Sequence, residues 1–496
     1  MIVRREKLDK LRALGIDPFP HKFERSHVIP DLKQGKERLV AEKLVIRTAG
    51  RILTLRRQGK TSFAHILDFE DRIQIYVRQD QLGEKNYETF KLLDIGDIIG
   101  VGGYLFYTHS QELTVHVNEL QILAKALRPL PVVKEKEVDG KKVYFDQLAD
   151  TDFRYRHRYL DLIVNPEVRQ VFVKRTRIIH AIRQFLNNQG FYEVETPMLQ
   201  PLYGGAFARP FKTHHHALNM PLYLKVSPEL YLKRLIVGGL EKVYELNKNF
   251  RNEGIDRTHN PEFSMLEVYQ AYATFEDMMK LTEQLIGVAA GMVHAGNRFN
   301  YQDQSIDLNP PWRRLTLIEA LKEYAGIDVE GMSETELRKR VQVHGLEAGP
   351  AISRGLLINN LFEEIVEAKL IQPTFITHYP RETTPLCKST LGQPELIDRF
   401  ELFIQGWEIA NAYSELNDPI LQRTLFEEQA KHREIEGEVP PVDEDFLRAV
   451  EYGMPPTGGL GIGIDRLIIL LTNQQSIRDI VFFPHMKPES SAVLSE

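Results

Sequence analysis

Cysteine is almost absent. Cys387 is the only one in 496 residues, which excludes an internal disulfide and any cysteine-built zinc cage. Long apolar runs are also missing: no stretch approaches the ~20 apolar residues that a membrane-spanning helix needs. The opening Met1-Ile2-Val3-Arg4-Arg5-Glu6 has no apolar core of a secretory leader. A cytoplasmic protein without a membrane partner is the expectation. Neither charge sign dominates, and the net charge is −6. The distribution is uneven, with +4 over residues 1–150 and −10 over residues 151–496. A mildly basic first part beside an acidic remainder is compatible with a polyanion docking on the first part, and equally with chance. Internal repeats and low-complexity tracts are absent.

A chain of this length, 43% hydrophobic and 27% charged, reads as an ordinary globular protein of two or three domains. Residues 3–15 read as a short helix with Leu8, Leu11 and Leu14 on one side. From about 43 to 127 the pattern is strands, at Leu44–Ile52, Ser62–Leu67, Arg72–Val77, Ile98–Val101 and Leu113–Val117, with a helix at Tyr87–Leu93. Five short strands with a helix after the third predict an OB-fold barrel. Its exposed face suits single-stranded nucleic acid, although a barrel without a ligand would share the pattern. Leu127–Pro131 and the charged run Lys134–Lys142 read as a linker. The expected organisation is therefore a helix plus barrel over 1–127, a linker over 128–165 and a second domain over 166–496. That domain opens with an amphipathic helix at 167–189, ended by Gly190. No strict βαβ rhythm follows, so the expected fold class is α+β on a mainly antiparallel sheet.

Three segments carry chemistry. In Val243–Tyr269, alternate strand positions bring Glu245, Asn247, Asn249, Arg251 and Glu253, then Phe263, Met265, Glu267 and Tyr269, onto one surface of a hairpin. Such a face suits a ligand better than bulk water. In Arg399–Asn417 the turn Gln405-Gly406-Trp407 separates two strands, and Asn411, Tyr413 and Glu415 share a face. Glu401 and Glu408 can approach across that hairpin and offer oxygen ligands to a hard cation such as Mg²⁺. Glu408 has the wrong parity for this in a regular strand, so a bulge or the turn must re-aim it. Thr457–Arg466 is rich in glycine, which lets backbone approach a flat ligand. The run lacks the Lys-Ser/Thr of a P-loop and the following βαβ of a dinucleotide site. The tract His214-His215-His216 invites a metal reading, but neighbouring strand residues point to opposite faces, so it reads as structural.

These segments resemble, in order, the signature motifs of class II aminoacyl-tRNA synthetases. The helix at 167–189 with Gly190–Pro197 is similar to motif 1, Phe250–Gly254 through His259–Phe263 to motif 2, and Gly459–Arg466 to motif 3. The resemblance is closest to bacterial-type lysyl-tRNA synthetases and extends to Tyr155–Leu162, Ala206–Phe211, Pro228–Lys233 and Glu415–Asp418. It implies that lysine is activated with ATP and passed to tRNALys by a homodimer joined through motif 1. It also implies the residues. Arg251 and Arg466 would be catalytic, Arg251 holding the α-phosphate and the substrate carboxylate. Phe263 and Arg466 would sandwich the adenine, Glu253 would contact its amino group, and His259, Asn260 and Gly463 would complete the ATP site. Glu401 and Glu408 would hold Mg²⁺, with Glu408 also counted among the ATP contacts. Glu229 and Glu415 would pair the lysine ammonium, since an unpaired buried charge costs several kcal/mol. Tyr269 and Tyr413 would flank the stem, Gly205 the α-amino end and Asn411 the carboxylate. In the barrel, Phe63 would stack an anticodon base, Gln74 would read a base edge, and Arg56 or Arg57 would touch phosphate. Trp407 stands where many members of the family carry a basic residue. An aspartyl- or asparaginyl-specific relative would share the fold but need a different pocket.

Overall fold

A computed structural model describes residues 1–131, 148, 150–206, 208–432 and 442–488, with the backbone of two further strands between 134 and 145. The chain forms two compact units, Met1–Val164 and Asn165–Glu496.

In the first unit, helix α1 (Ile2–Ala13) buries Leu8 and Leu11. Five strands close into a barrel: β1 (Ile46–Gln58), β2 (Thr61–Leu67), β3 (Arg72–Arg78), β4 (Ile98–Tyr107) and β5 (Leu113–Ala124), in the order β1-β2-β3-β5-β4. Helix α2 (Glu84–Lys91) lies between β3 and β4 in the chain. This is the expected OB-fold. Period-two alternation sends Ala64, Ile66, Ile73, Ile75 and Val77 into the barrel core, while Phe63, His65, Gln74 and Tyr76 stay outside and half-buried.

Three strands run longer than the sequence pattern suggests. A bulge between Ile52 and Thr54 breaks the alternation of β1, and bulges at Ile98/Ile99 and Gly102/Gly103 do the same where β4 pairs with β5. Gly103 has no alternative there, because a Cβ would lie 1.8 Å from the His116 carbonyl oxygen. The charged run read as linker forms paired strand backbone at Lys134–Val138 and Lys141–Phe145, and Thr151–Arg156 and Arg158–Val164 are helical. Positions 139–140 of that run lie outside the described residues, as does Phe207.

The second unit is built on one large sheet. Its strands are β6 (Tyr192–Glu193), β7 (Lys242–Phe250), β8 (Glu262–Ala271), β9 (Arg313–Thr316), β10 (Thr374–Pro380), β11 (Gln393–Ile404), β12 (Trp407–Ser414) and β13 (Thr457–Gly463). They lie in the order β9-β10-β11-β12-β13-β8-β7-β6, antiparallel except at the two outer pairs. Helix α3 (Pro166–Asn188) is the expected amphipathic one, burying Ile178, Ile182 and Leu186. It shares a core with helix α5 (Phe275–Gly291), helix α6 (Ile464–Leu471) and the sheet residues Tyr244, Leu266, Val268, Leu460 and Ile462. Each such fully buried aliphatic chain contributes roughly 1.5–3 kcal/mol. One sheet face is therefore committed to helices, and the other carries the polar alternates. Against it lies the short helix α4 (Glu229–Val237). No helix among the described residues is long and apolar enough to cross a membrane.

Candidate active site

The polar sheet face lines a cavity of about 440 Å³. β8 contributes Phe263, Met265, Glu267 and Tyr269. β12 and the residue just past it contribute Asn411, Tyr413 and Glu415. β13 contributes Gly459, Gly461 and Gly463, and α4 contributes Glu229. The loop between β7 and β8 adds Arg251, Glu253, His259 and Asn260, and α6 adds Arg466. Gly205 and Glu408 line the cavity as well, whereas Glu401 does not. The β7 members of the predicted face do not. Glu245 is bonded by Lys225 Nζ at 2.5 Å and Thr196 Oγ1 at 2.7 Å, and Asn247 and Asn249 bond within the hairpin.

One end of the cavity is acidic. Glu229 sits in the first turn of α4, and Lys233, one turn on, donates from Nζ to Glu229 Oε1 at 2.6 Å. The same Nζ pairs with Glu415, so carboxylates from two distant stretches meet at one ammonium. Lys233 is fully buried. Burial opposes its charge, but Glu229 and Glu415 outweigh that and raise its pKa above the ordinary value. Glu267 accepts from Ser227 Oγ at 2.9 Å and from the Tyr269 hydroxyl at 3.3 Å. Burial, reinforced by Glu229, pushes Glu267 up to about 8. Burial also raises Glu415 above the carboxylate range, against the pull of Lys233.

Two glycines make room for these acids. Gly205, at φ +80°, would bring a Cβ within 3.0 Å of the Glu229 Cβ. A Cβ on Gly459 would lie 1.9 Å from Glu415 Oε1 and 2.7 Å from Tyr269 Cε1. Gly459→Ala is therefore expected to cost about 1–3 kcal/mol in urea unfolding by overpacking. An unchanged unfolding midpoint would mean that Glu415 has space elsewhere.

The basic end gathers around Phe263. The Arg251 guanidinium lies 5.1 Å from the Phe263 ring centroid, a cation–π contact. Arg251 Nε and Asn260 Oδ1 are buried without hydrogen-bond partners. Orphaned polar atoms on a cavity wall mark a place where a ligand completes the bonding. Arg466 donates to the Glu408 carbonyl at 2.7 Å and to His259 Nε2 at 3.0 Å. A guanidinium can only donate, so His259 Nε2 accepts, and its Nδ1–H points to Asp256 Oδ2 at 2.7 Å. Asp256 is held down to about 2 against burial, by bonds from the Thr258 and His259 backbone and the His259 ring. Asp465 accepts from Arg175 of α3 at 2.7 Å and from the Ser264 amide at 2.7 Å, tying α3, β8 and α6 into one frame.

A third cluster lies on β11 and β12. The register slips between Leu402 and Phe403, so that Phe403 faces Glu408 and Ile409 is the extra residue. This bulge re-aims Glu408 onto the Glu401 side, resolving its parity. Glu401 accepts from the Tyr379 hydroxyl at 2.8 Å and pairs with Arg399. Burial raises Glu401 above its ordinary value, opposed by Arg399 and reinforced by Glu408. Burial and the nearby Glu401 push Glu367 up to about 8. A carboxylate pair such as Glu401 and Glu408 fits a hard cation that takes its other ligands from substrate phosphates and water.

The barrel presents a second candidate surface. Phe63 stands 4.8 Å from Tyr76, which neighbours Phe106 and His116, while Tyr104 stacks on His116 at 4.9 Å. Phe63 is thus an outer-face residue, not barrel core. Gln74 is held by Glu112 and Thr114, both at 2.8 Å. Arg56 is exposed, opposite Phe63 in the register. Arg57 is exposed as well, and one nitrogen of its guanidinium turns to helix carbonyls. It donates to the Leu93 carbonyl at 2.7 Å and the Lys91 carbonyl at 3.1 Å, capping the end of α2.

Reading the sequence alone passes over Lys233 and Arg399, and places Glu267 on the ligand-facing surface without a role. The i, i+4 spacing of Glu229 and Lys233, and the strand parity of Arg399 with Glu401, are the signals that point to them. Trp407 packs on Tyr301, with ring centroids 5.6 Å apart. His215 Nδ1 accepts from the Leu218 amide at 3.1 Å, and no metal-holding group of three His, Cys, Asp or Glu occurs among the described residues.

Comparison with known proteins gives two family matches: tRNA synthetases class II (D, K and N) over residues 150–487, and an OB-fold nucleic acid binding domain over residues 46–123. The chain is 52% identical over 491 residues to a lysine–tRNA ligase of Syntrophomonas wolfei, covering 99% of this chain and 97% of that one. It is 54% identical over 492 residues to one of Pelotomaculum thermopropionicum, covering 98% and 95%. It is 50% identical over 494 residues to one of Oceanobacillus iheyensis, covering 98% of each.

Proposed function

Since this chain belongs to the class II lysyl-tRNA synthetases and is a lysine–tRNA ligase, we propose that its acidic cavity end selects lysine by charge while the basic end activates it with ATP. The observation that carries this reading is the convergence of Glu229 and Glu415 on one ammonium inside the cavity wall. Each keeps bonding capacity for the substrate's ε-ammonium, and Tyr269 and Tyr413 flank the stem. Asn411 and Arg251 orient the α-carboxylate, and Gly205 leaves space at the α-amino group.

In the first step the lysine carboxylate attacks the α-phosphorus of ATP and pyrophosphate leaves, giving lysyl-adenylate. Arg251, with its orphaned Nε, stabilises the charge that builds on the α-phosphate. Arg466, Phe263, Glu253 and Gly463 hold the nucleotide, and His259 and Asn260 contact it along the loop. Glu401 and Glu408 would hold Mg²⁺, which supplies charge neutralisation at the phosphates when bound. In the second step a hydroxyl at the 3′ end of tRNALys attacks the anhydride carbonyl, and AMP leaves. No protein nucleophile is needed, so the rate comes from positioning and electrostatics.

Amino-acid-dependent ATP–pyrophosphate exchange tests the pocket: lysine alone should support it, and exchange driven by aspartate or asparagine instead would overturn the charge reading. The pH dependence follows from Glu267. Its carboxyl is neutral below about pH 8 and charged above it, and a bound cation favours the charged form. Lysine should therefore release a proton on binding, and its KM should rise roughly three- to tenfold from about pH 8.5 to about pH 6.5. The substrate ammonium stays charged throughout. A flat profile would remove Glu267 from the lysine site.

On the barrel, Phe63 stacks an anticodon base, Gln74 reads a base edge and Arg56 meets phosphate. Phe63→Ala should spare exchange and slow tRNA charging about tenfold, the value of one lost stack. Equal charging rates would contradict the assignment. Two copies would pair through α3 and its neighbourhood, a reading supported by Tyr192, which is 67% exposed just after that helix.

A further inference from the structure

We propose that Lys233 is a positioning and specificity-determining residue: a resident ammonium that aims Glu229 and Glu415 and sets how deep the substrate's own ammonium can go. The proposal rests on the lysine-binding reading above.

Three observations carry it. Lys233 Nζ takes Oε1 of Glu229 and Oε2 of Glu415, leaving one oxygen of each carboxylate for a second cation. Glu415 Oε1, the free one, lies against the Gly459 backbone on the cavity wall. Lys233 itself is fully buried and does not line the cavity, so it acts through the two acids and not by contact.

The charge count points the same way. Glu229, Glu267 and Glu415 crowd this end, and Lys225, the other buried lysine nearby, is bonded to Glu245 at 2.5 Å. One resident cation therefore faces three acids, an excess of acid groups that suits a cation from the substrate and not a neutral or acidic side chain. Lys233 also blocks the way inward. Like charges repel steeply at a few ångströms in a buried site, so a side chain one methylene longer than lysine would drive its ammonium towards Nζ. A side chain one methylene shorter would fall short of the free oxygens.

The i, i+4 link from Glu229 to Lys233 makes the arrangement a property of α4 itself, and the pairing with Glu415 fastens that helix to the end of β12. Both acids are thus pre-aimed before substrate arrives, so little binding energy is lost to ordering them.

The test uses three variants of the full-length enzyme, with exchange kinetics and melting temperatures. Lys233→Met keeps volume and removes charge; KM for lysine should rise at least about 30-fold while KM for ATP stays within about twofold, a split that general loss of structure does not produce. Lys233→Ala opens a space the shape of propylammonium. Added propylammonium should restore part of its lysine-dependent exchange, and propan-1-ol should not. Lys233→Arg keeps the charge, and with it the fold, but moves the charge outward; it should shift preference from lysine towards ornithine at unchanged KM for ATP. Unchanged lysine KM and unchanged lysine–ornithine preference in folded Lys233→Met and Lys233→Arg would overturn the proposal. Glu415→Gln, run in parallel, separates the layers. If it alone loses lysine use, Lys233 is merely structural and the lysine-binding reading stands; if it too leaves lysine use intact, that reading fails.

Discussion

Replacing Glu415 with glutamine is expected to lower kcat/KM for lysine by about 10²–10³-fold while KM for ATP changes less than about threefold. The side chain is 1% exposed and its carboxylate is shared between Lys233 and the cavity. Glutamine keeps the shape and removes the charge, so the substrate ammonium is left with Glu229 as its nearest partner. Removing one member of a buried ion pair costs about 3–5 kcal/mol, because the remaining charge is stranded, and each 1.4 kcal/mol is a factor of ten. The proposed ATP site lies at the other end of the cavity, around Arg251, Phe263 and Arg466. Steady-state exchange with lysine and ATP varied separately reads the two effects. Parallel losses in both would make Glu415 a folding residue.

The second large effect is expected at Arg251. Arg251→Ala should slow exchange about 10³-fold, and Arg251→Lys should recover only part of it. Its Nε is buried without a partner beside a cavity, and the guanidinium rests on the Phe263 ring. A planar fork with several donors matches a phosphate or carboxylate in two places at once, which a lysine ammonium cannot do. Loss of a single positioned donor to a developing oxyanion typically costs 10²–10³ in kcat. The measurement is single-turnover adenylate formation, which isolates the chemical step from tRNA charging. A rate within about tenfold of the parent would remove Arg251 from transition-state stabilisation.

Much of the barrel is legible in the sequence because one face of each strand is apolar. Ala64, Ile66, Ile73 and Ile75 alternate cleanly, and the structure places them inside. The strand ends are not legible. The bulges in β1 and β5 shift the period by one residue, and the glycines of β4 carry no hydrophobic signal to read. The hairpin at 134–145 is hidden for another reason: its alternating charges resemble a solvated linker.

In the catalytic unit, strand parity alone groups Asn411, Tyr413 and Glu415, and it also flags Glu408 as misplaced unless a bulge intervenes. The structure supplies that bulge at Ile409. Parity cannot tell which face of β7 meets the cavity and which polar groups are spent on neighbours, so Asn247 and Asn249 read as ligand residues until their partners are seen. Lys233 escapes because a lysine in an amphipathic helix normally points to water. Its burial depends on Glu415, which is far away in sequence and arrives only with the folded sheet. Arg57 shows the converse, since a basic residue next to a candidate nucleic-acid surface gives one guanidinium nitrogen to helix carbonyls, which the sequence does not signal.

The central claim is that the ε-ammonium of lysine is recognised by the free oxygens of Glu229 and Glu415. The most direct measurement is a crystal structure with lysine and a non-hydrolysable ATP analogue bound. The expected result puts the ε-nitrogen within about 3 Å of both carboxylates, with the α-carboxylate beside Arg251. An ε-nitrogen bound away from both acids, with the α-carboxylate still at Arg251, would contradict it.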